Sequence, residues 1–276
     1  MRTGYPFLDD GGPVLAFAHR GGAAHPDLVG LENTRAAFAH AVALGYAWLE
    51  TDVQVTRDGV VIAFHDALLE RVTDAGGRLG DLDATALAAV RVGGREPVPT
   101  LADLVDAFPS ARFNVDLKSA AAVAPLAQLV HERGLHERVL VGSFSGRRLR
   151  RFRRLAGPRV ATSASPGEVA AYVVLPGRLA RLVTRLVTRG RPAALQVPHR
   201  RGRLVVASPR LVRRAHAAGL HVHVWTVDEP AEMRSLLDRG VDGLMTDRTD
   251  VFRDVLRERG QWPDRTSAPG HDGDQA

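Results

Sequence analysis

Two acids at strand spacing, Glu50 and Asp52, lie in the stretch of the chain with the most chemistry, LETDVQVTRDGVVIAFHD at 49–66. Residues two apart on an extended chain share a face, so both carboxylates point the same way. Past the turn Thr56-Arg57-Asp58-Gly59, the run 60–64 reads as a second strand that ends in His65-Asp66. So short a connection makes the pair antiparallel. With Val55 opposite Val60 across a four-residue loop, His65 stands opposite Glu50 and Ala63 opposite Asp52. Directly opposed residues share a face. One imidazole and two carboxylates then converge, which is half of a metal-assisted acid/base site. A slip of one residue would turn His65 away.

The same kind of residue recurs at other strand ends. A short apolar strand at 14–18 delivers His19-Arg20, followed by Gly21-Gly22, expected to let backbone come close to a ligand. FNVDLK at 113–118 ends in Asp116 and Lys118, again two apart, while later strands end in Trp225 and in Thr246-Asp247. Acids without soft ligands suit Mg²⁺ or Ca²⁺ better than zinc. Arg20 and Lys118 beside such a cation suit a phosphate. Two histidines suit an acid and a base at opposite ends of a phosphoester displacement. Any one of these residues alone has an ordinary explanation: a surface histidine, a strand-end acid, a core Trp225, or a Glu32 that favours a helix N-terminus. Their recurrence at several separate strand ends is what points to a site.

The elements that must position them alternate. A helix opens at Glu32-Asn33-Thr34 and runs to about Leu44, where Gly45 stops it, and 46–52 is the second strand. Residues 67–98 form an irregular Gly- and Asp-rich excursion with a short helix near 84–90, and another helix follows Pro99-Thr100. Strands are then expected at 113–118, 139–142, 159–162, 194–197, 221–226 and 243–246, with helices between them, one of them a long helical region over 167–189. Counting the 60–64 return as a hairpin gives eight parallel-capable strands in a single domain, 1–261, followed by a disordered polar tail at 262–276. That is an α/β pattern of (β/α)8 barrel (TIM barrel) size, with a hairpin and short insertion (67–98) after the second strand. No GxGxxG follows any strand and no GxxxxGK[ST] occurs, which disfavours a nucleotide-binding open sheet.

Composition bounds the rest. The 276 residues are 45% hydrophobic and 25% charged, with no Cys. No apolar run reaches the length of a membrane span, and the first residues, read as a polar lead-in, lack a secretory pattern, so a cytoplasmic location is expected. The net charge is +6, and of 37 Lys+Arg only Lys118 is Lys. An almost pure arginine surface accounts for the pI of about 10.7 without a nucleic-acid partner.

Taken together, AHRGG at 18–22, ENT at 32–34, the 49–66 stretch, PTLADLV at 99–105, NVDLKS at 114–119, GSFS at 142–145, VHVWTVDEPAEM at 222–233 and GVDGLMTDR at 240–248 resemble the glycerophosphodiester phosphodiesterase family, in family order over nearly the whole chain. The resemblance implies a TIM barrel that hydrolyses glycerophosphodiesters to glycerol 3-phosphate and an alcohol with one divalent cation, Mg²⁺ or Ca²⁺, with Mn²⁺ also admissible. It implies His19 and His65 as the acid/base pair and Glu50, Asp52 and Asp116 as metal ligands. Arg20 and Lys118 bind phosphate, Glu32 lies at the site edge and Trp225 lines the glycerol pocket. Two positions depart from the family pattern: Asp116 stands where Glu is usual, and Asp228 where Asn is frequent. Two competing expectations remain: a phospholipase-like enzyme acting on lysophospholipids or phosphoinositides, and a non-catalytic barrel that binds phosphate or anionic surfaces. A weak peripheral membrane contact through 175–189 is also expected, because an apolar stripe at helical spacing is flanked there by arginines and the segment's start is expected to overhang the mouth.

Overall fold

A computed structural model describes residues 3–9, 12–188 and 191–262. Eight parallel strands form the barrel: β1 (Leu15–His19), β2 (Trp48–Val55), β3 (Arg112–Leu117), β4 (Val139–Gly142), β5 (Ala161–Thr162), β6 (Ala194–Pro198), β7 (His221–Trp225) and β8 (Gly243–Thr246). Hydrogen-bonded neighbours run β5-β4-β3-β2-β1-β8-β7-β6. The ring closes where Ala193 N–H bonds Thr162 O and Ala164 N–H bonds Ala194 O, both at 2.8 Å. No helix among the described residues is long and apolar enough to cross a membrane.

The helices start where the sequence supplies side-chain caps. Thr34 accepts from Ala37 N–H at the head of α1 (Arg35–Ala43), and Thr100 from Asp103 N–H at the head of α2 (Leu101–Ala107). α3 (Val123–Glu132) and α4 (Gly146–Ala156) cover the next strands. Ser165 and Glu168 close a capping box on α5 (Pro166–Val174). Outward strand residues such as Leu49, Val53, Phe113, Val141, Leu195 and Leu244 pack under these helices as the main core. Inward, the lower end is filled by Leu15, Phe17, Trp48, Leu140 and Met245, with Phe7 and Leu8 beneath. The expected polar lead-in therefore contains a buried turn, Pro6–Asp9, fixed by Trp48 Nε1–H donating to Phe7 O at 3.1 Å. An open barrel floor needs apolar cover, and Phe7-Leu8 is the apolar pair within reach. Trp262, first residue of the expected tail, packs edge-on to Tyr46, so the packed domain extends at least to it. Residues 263–276 lie outside the described residues.

Two expectations fail on local chemistry. Over 167–189, α5 ends at Val174, Leu175 and Pro176 are extended, and α6 (Gly177–Val183) runs into a wider turn at Thr184–Thr188. Pro176 lacks an N–H and pushes its predecessor out of helical backbone. The buried side of this segment is Gly177, Ala180 and Thr184, and Leu179, Leu182 and Leu186 are exposed. A Cβ on Gly177 would sit 2.1 Å from Arg214 O, at the C-terminal end of α7 (Pro209–Ala217). That is the floor of the barrel, since helices run opposite to strands. The segment does not overhang the mouth, which removes the reason for giving it a part in substrate access. The side chains of Val187 and Arg189 lie outside the described residues. The other failure is the function expected for Gly21 and Gly22. Both have positive φ, and a Cβ there would strike Ala37 Cβ at 2.6 Å and Thr249 at 2.7 Å respectively. They let the loop after β1 pack on α1 and on α8 (Thr249–Glu258), instead of opening room for a ligand.

Candidate active site

The C-terminal ends of β1, β2 and β3 sit side by side in register: His19 beside Glu50, and Asp52 beside Asp116. Glu50 and Asp52 are both buried. Burial and the Asp52 charge raise the Glu50 carboxyl to about 7. Burial also acts to raise Asp52, but Lys118 and Arg20 overcome it and hold it below the usual range. Lys118 Nζ bridges Asp52 Oδ1 at 2.9 Å and Asp116 Oδ2 at 2.7 Å. Arg20 donates its backbone N–H to Glu50 Oε2 at 3.1 Å. Its Nε lies 3.1 Å from Asp52 Oδ2, an ion pair out of line for a hydrogen bond. Its Nη1 reaches Glu32 Oε1 at 3.2 Å.

Two left-handed backbones hold this corner. Arg20 (φ 49) and Asn33 (φ 59) are the non-glycine residues with positive φ among the described residues. Asn tolerates that region, and a bulky residue such as Arg does so only when its surroundings fix it. Asn33 N–H bonds Arg20 O at 2.9 Å, and Asn33 Nδ2–H donates to Asp52 Oδ2 at 3.2 Å. Thr51 Oγ1–H in turn donates to Asn33 Oδ1 at 2.8 Å.

The two histidines arrive differently. His19 ends β1, its Nδ1 2.8 Å from Asp247 Oδ1 and its Nε2 3.7 Å from Glu50 Oε2. Burial alone would depress its pKa, but Glu50 and Asp247 outweigh that and bring it to about 9. His65 does not follow the expected register. Val55 pairs with Val61 and Val53 with Ala63, one residue off from Val55 opposite Val60. The hairpin loop is three residues long: Thr56 N–H bonds Val60 O at 3.0 Å, and Gly59 closes it at φ +91. A turn of this type followed by a left-handed glycine is a standard three-residue hairpin. The return strand stops at Ala63. A bend then brings His65 to the mouth, where Gln54 Nε2–H holds His65 O at 3.2 Å. His65 reaches the site on a loop, near enough for its charge to lower the Asp52 pKa. Its Nδ1 is 2.5 Å from Asp66 Oδ1. Asp66 is bound by Arg71, which also forks onto Glu32 at 2.6 and 2.8 Å. The insertion thus ties the His65 loop to the Arg20 corner.

Asp66, Arg71, Asn33 and Asp247 hold the site together, and none of them is among the site residues that the sequence alone points to. Asp247 had a readable signal, because it follows β8 at the mouth. Its N–H and Thr246 Oγ1–H both donate to Asp228 Oδ1 at 2.8 Å. Those two bonds need only an acceptor oxygen, which Asn would also supply, and the charge that Asp adds acts on Arg248. Trp225 ends β7 half-buried, its ring edge-on to Phe144 with centroids 5.6 Å apart. Phe144 is 62% exposed and its ring lies 5.8 Å from Lys118 Nζ.

Glu50, Asp52 and Asp116 offer only hard oxygen donors, and the raised Glu50 pKa records like charges crowded in a buried place. Oxygen donors of this kind are what a divalent cation takes, but among the described residues these three acids do not close on one point, because the Lys118 ammonium lies between Asp52 and Asp116.

The chain is similar to known proteins along nearly its whole length. The model of the Glycerophosphoryl diester phosphodiesterase family matches residues 19–251. A Mycobacterium tuberculosis protein named "Probable glycerophosphodiester phosphodiesterase 2" is 40% identical over 260 residues, covering 92% of this chain and 98% of its own. Human "Lysophospholipase D GDPD1" is 26% identical, covering 87% of this chain and 85% of its own. A crystal structure of a Silicibacter pomeroyi protein superposes with a TM-score of 0.77 at 25% identity, covering 94% of this chain and 100% of that one.

Proposed function

The chain belongs to the glycerophosphoryl diester phosphodiesterase family and is a phosphoric diester hydrolase; on that premise we propose that it cleaves glycerophosphodiesters to glycerol 3-phosphate and an alcohol, with His19 and His65 as the proton-transfer pair and a divalent cation on Glu50, Asp52 and Asp116. The observation that carries this reading is the pair of carboxylate-backed imidazoles, His19 on Asp247 and His65 on Asp66, at one mouth with those acids. His19, with Nδ1 held by Asp247 at 2.8 Å, is in this reading the proton donor to the leaving oxygen. With Nδ1 engaged by Asp66, His65 has Nε2 left to accept a proton from the attacking water, whose oxygen bonds phosphorus as the alcohol oxygen leaves with the His19 proton. Each turnover then moves one proton onto His65 and one off His19, and solvent exchange restores both.

Arg20 and Lys118 face the phosphoryl oxygens, and Glu32 orients Arg20. The bound cation would add electrostatic stabilisation of the charge that builds on those oxygens. Trp225 and Phe144 form an apolar wall for the glycerol side. An exposed Phe144 and the likeness to the human lysophospholipase favour lysophospholipids as a second substrate group. The test is release of glycerol 3-phosphate from glycerophosphocholine, with and without chelator, and of free alcohol from a lysophospholipid beside it. Activity lost on chelation and restored by Mg²⁺, Ca²⁺ or Mn²⁺ is expected. Full activity in metal-free protein after chelation would overturn the cation's part.

A further inference from the structure

We propose that His25, Asp27 and His40 form a second cation site, separate from the acids at the mouth, that takes a borderline transition-metal ion such as Zn²⁺ and clamps the loop after β1 onto α1. One donor atom from each of the three lies within 4.8 Å of the others. The three come from two segments. His25 caps a single 3-10 turn, Pro26–Leu28, which carries Asp27, and His40 lies in α1.

The two imidazoles face each other with centroids 4.3 Å apart at 52°, and no hydrogen bond joins them. His40 Nδ1 is buried and has no hydrogen-bond partner. A buried nitrogen without a partner costs about 1–3 kcal/mol, and a metal ion is one partner that would satisfy it. His25 Nδ1 lies 3.8 Å from Asp27 Oδ2, and Asp27 is exposed, free to swing onto an ion.

The donor set decides the metal. Two imidazoles and one carboxylate suit zinc and its neighbours, whereas Mg²⁺ and Ca²⁺ prefer the all-oxygen set at the mouth. Three protein ligands leave a fourth position for water. Asp250 stands near enough to act on the His40 charge and favours a cation there, while Arg253 opposes it. The loop so clamped is the one that presents Arg20, Glu32 and Asn33 to the acids. The expected role is therefore structural support of that corner.

Isothermal titration of the full chain with Zn²⁺, in excess Mg²⁺ to occupy the acids, tests this. One zinc-binding event is expected in the wild type and in Asp52→Asn. His25→Ala and His40→Gln should each weaken it by at least about 100-fold, since losing a supporting hydrogen bond to a ligand already costs 10–100-fold. Asp27→Asn, a near-isosteric change at an exposed position, should weaken it as well. It guards against a variant that merely misfolds. Zinc should also raise the wild-type melting temperature and leave that of His40→Gln unchanged. No zinc binding by the wild type would overturn the proposal, as would binding unchanged in both histidine variants. The phosphodiesterase site proposed above shares no residue with this one, so neither outcome bears on it.

Discussion

The floor and the mouth of this barrel are built from the same strands by opposite rules. At the floor, Phe17, Trp48 and Met245 point inward onto Phe7 and Leu8. The histidine that sits among such residues, His223, is driven by desolvation to a pKa of about 3 and stays neutral. Two residues farther along β1 and β2, about 7 Å nearer the mouth, the inward positions become His19 and Glu50. There like charges crowd, a carboxyl rises to about 7 and Arg20 takes a left-handed backbone. Stability is concentrated at one end so that the other can hold an arrangement that no stability argument would choose.

If that division holds, substitutions at the two ends should fail in different ways. His19→Ala and His65→Ala should each lower turnover by about 10²–10⁴ per folded molecule, read by product release beside a denaturant melt that gives the folded fraction. His216→Ala, on α7 and paired to Asp242, is the control and should keep its turnover. Phe17→Ala should do the reverse. It should lose about 3–5 kcal/mol of stability, while the fraction that folds turns over normally. A Phe17→Ala protein that is stable but inactive would erase the distinction.

The floor also predicts a pH dependence. His223 is buried and neutral, with its Nδ1 3.4 Å from Gln196 Nε2. Its folded pKa lies below the unfolded value near 6.5, so below that pH the unfolded chain takes a proton that the folded chain refuses. Stability from this residue is therefore full above pH 6.5 and falls as pH drops toward 3. At about 1.36 kcal/mol per unit, the loss by pH 4 is on the order of 3 kcal/mol. His223→Gln cannot titrate, and its stability should fall less steeply than wild type between pH 6.5 and 4. Parallel curves for the two proteins would show that the floor does not hold His223 neutral.

How far the sequence could be read follows the same line between ends. The strands and most helices were legible because apolar periodicity and caps such as Thr34 and Ser165 are local signals. The inward acids were legible because two-residue spacing is a property of any strand. What was not legible depends on backbone detail. Whether the loop has four residues after Val55 or three after Thr56 decides the hairpin register, and Gly59 was the hint. The bend that returns His65 and the break at Pro176 are likewise matters of a few dihedrals, although Pro176 itself was a visible stop. Asp66, Arg71 and Asp247 meet their partners across the insertion and the closing strand, and no spacing rule links residues that far apart.

The smallest effect is the most direct test of the comparison. Glu50→Gln removes the charge that crowds Asp52 and keeps an oxygen to accept the Arg20 N–H. His19 would lose one of its two acidic neighbours and keep Asp247. In the absence of added divalent ion, the variant should be more stable than wild type by about 0.5–2 kcal/mol, as is common when a functional strain is relieved, and its turnover should collapse. Added Mg²⁺ or Ca²⁺ should stabilise the wild type more than the variant, because the ion would lose a charged ligand. Denaturant unfolding of both proteins, with and without the ion, reads all four values. A Glu50→Gln protein less stable than wild type without the ion would mean that Glu50 holds the mouth together. The charge crowding there would then be a structural device, and the contrast with the floor would fail at its central residue.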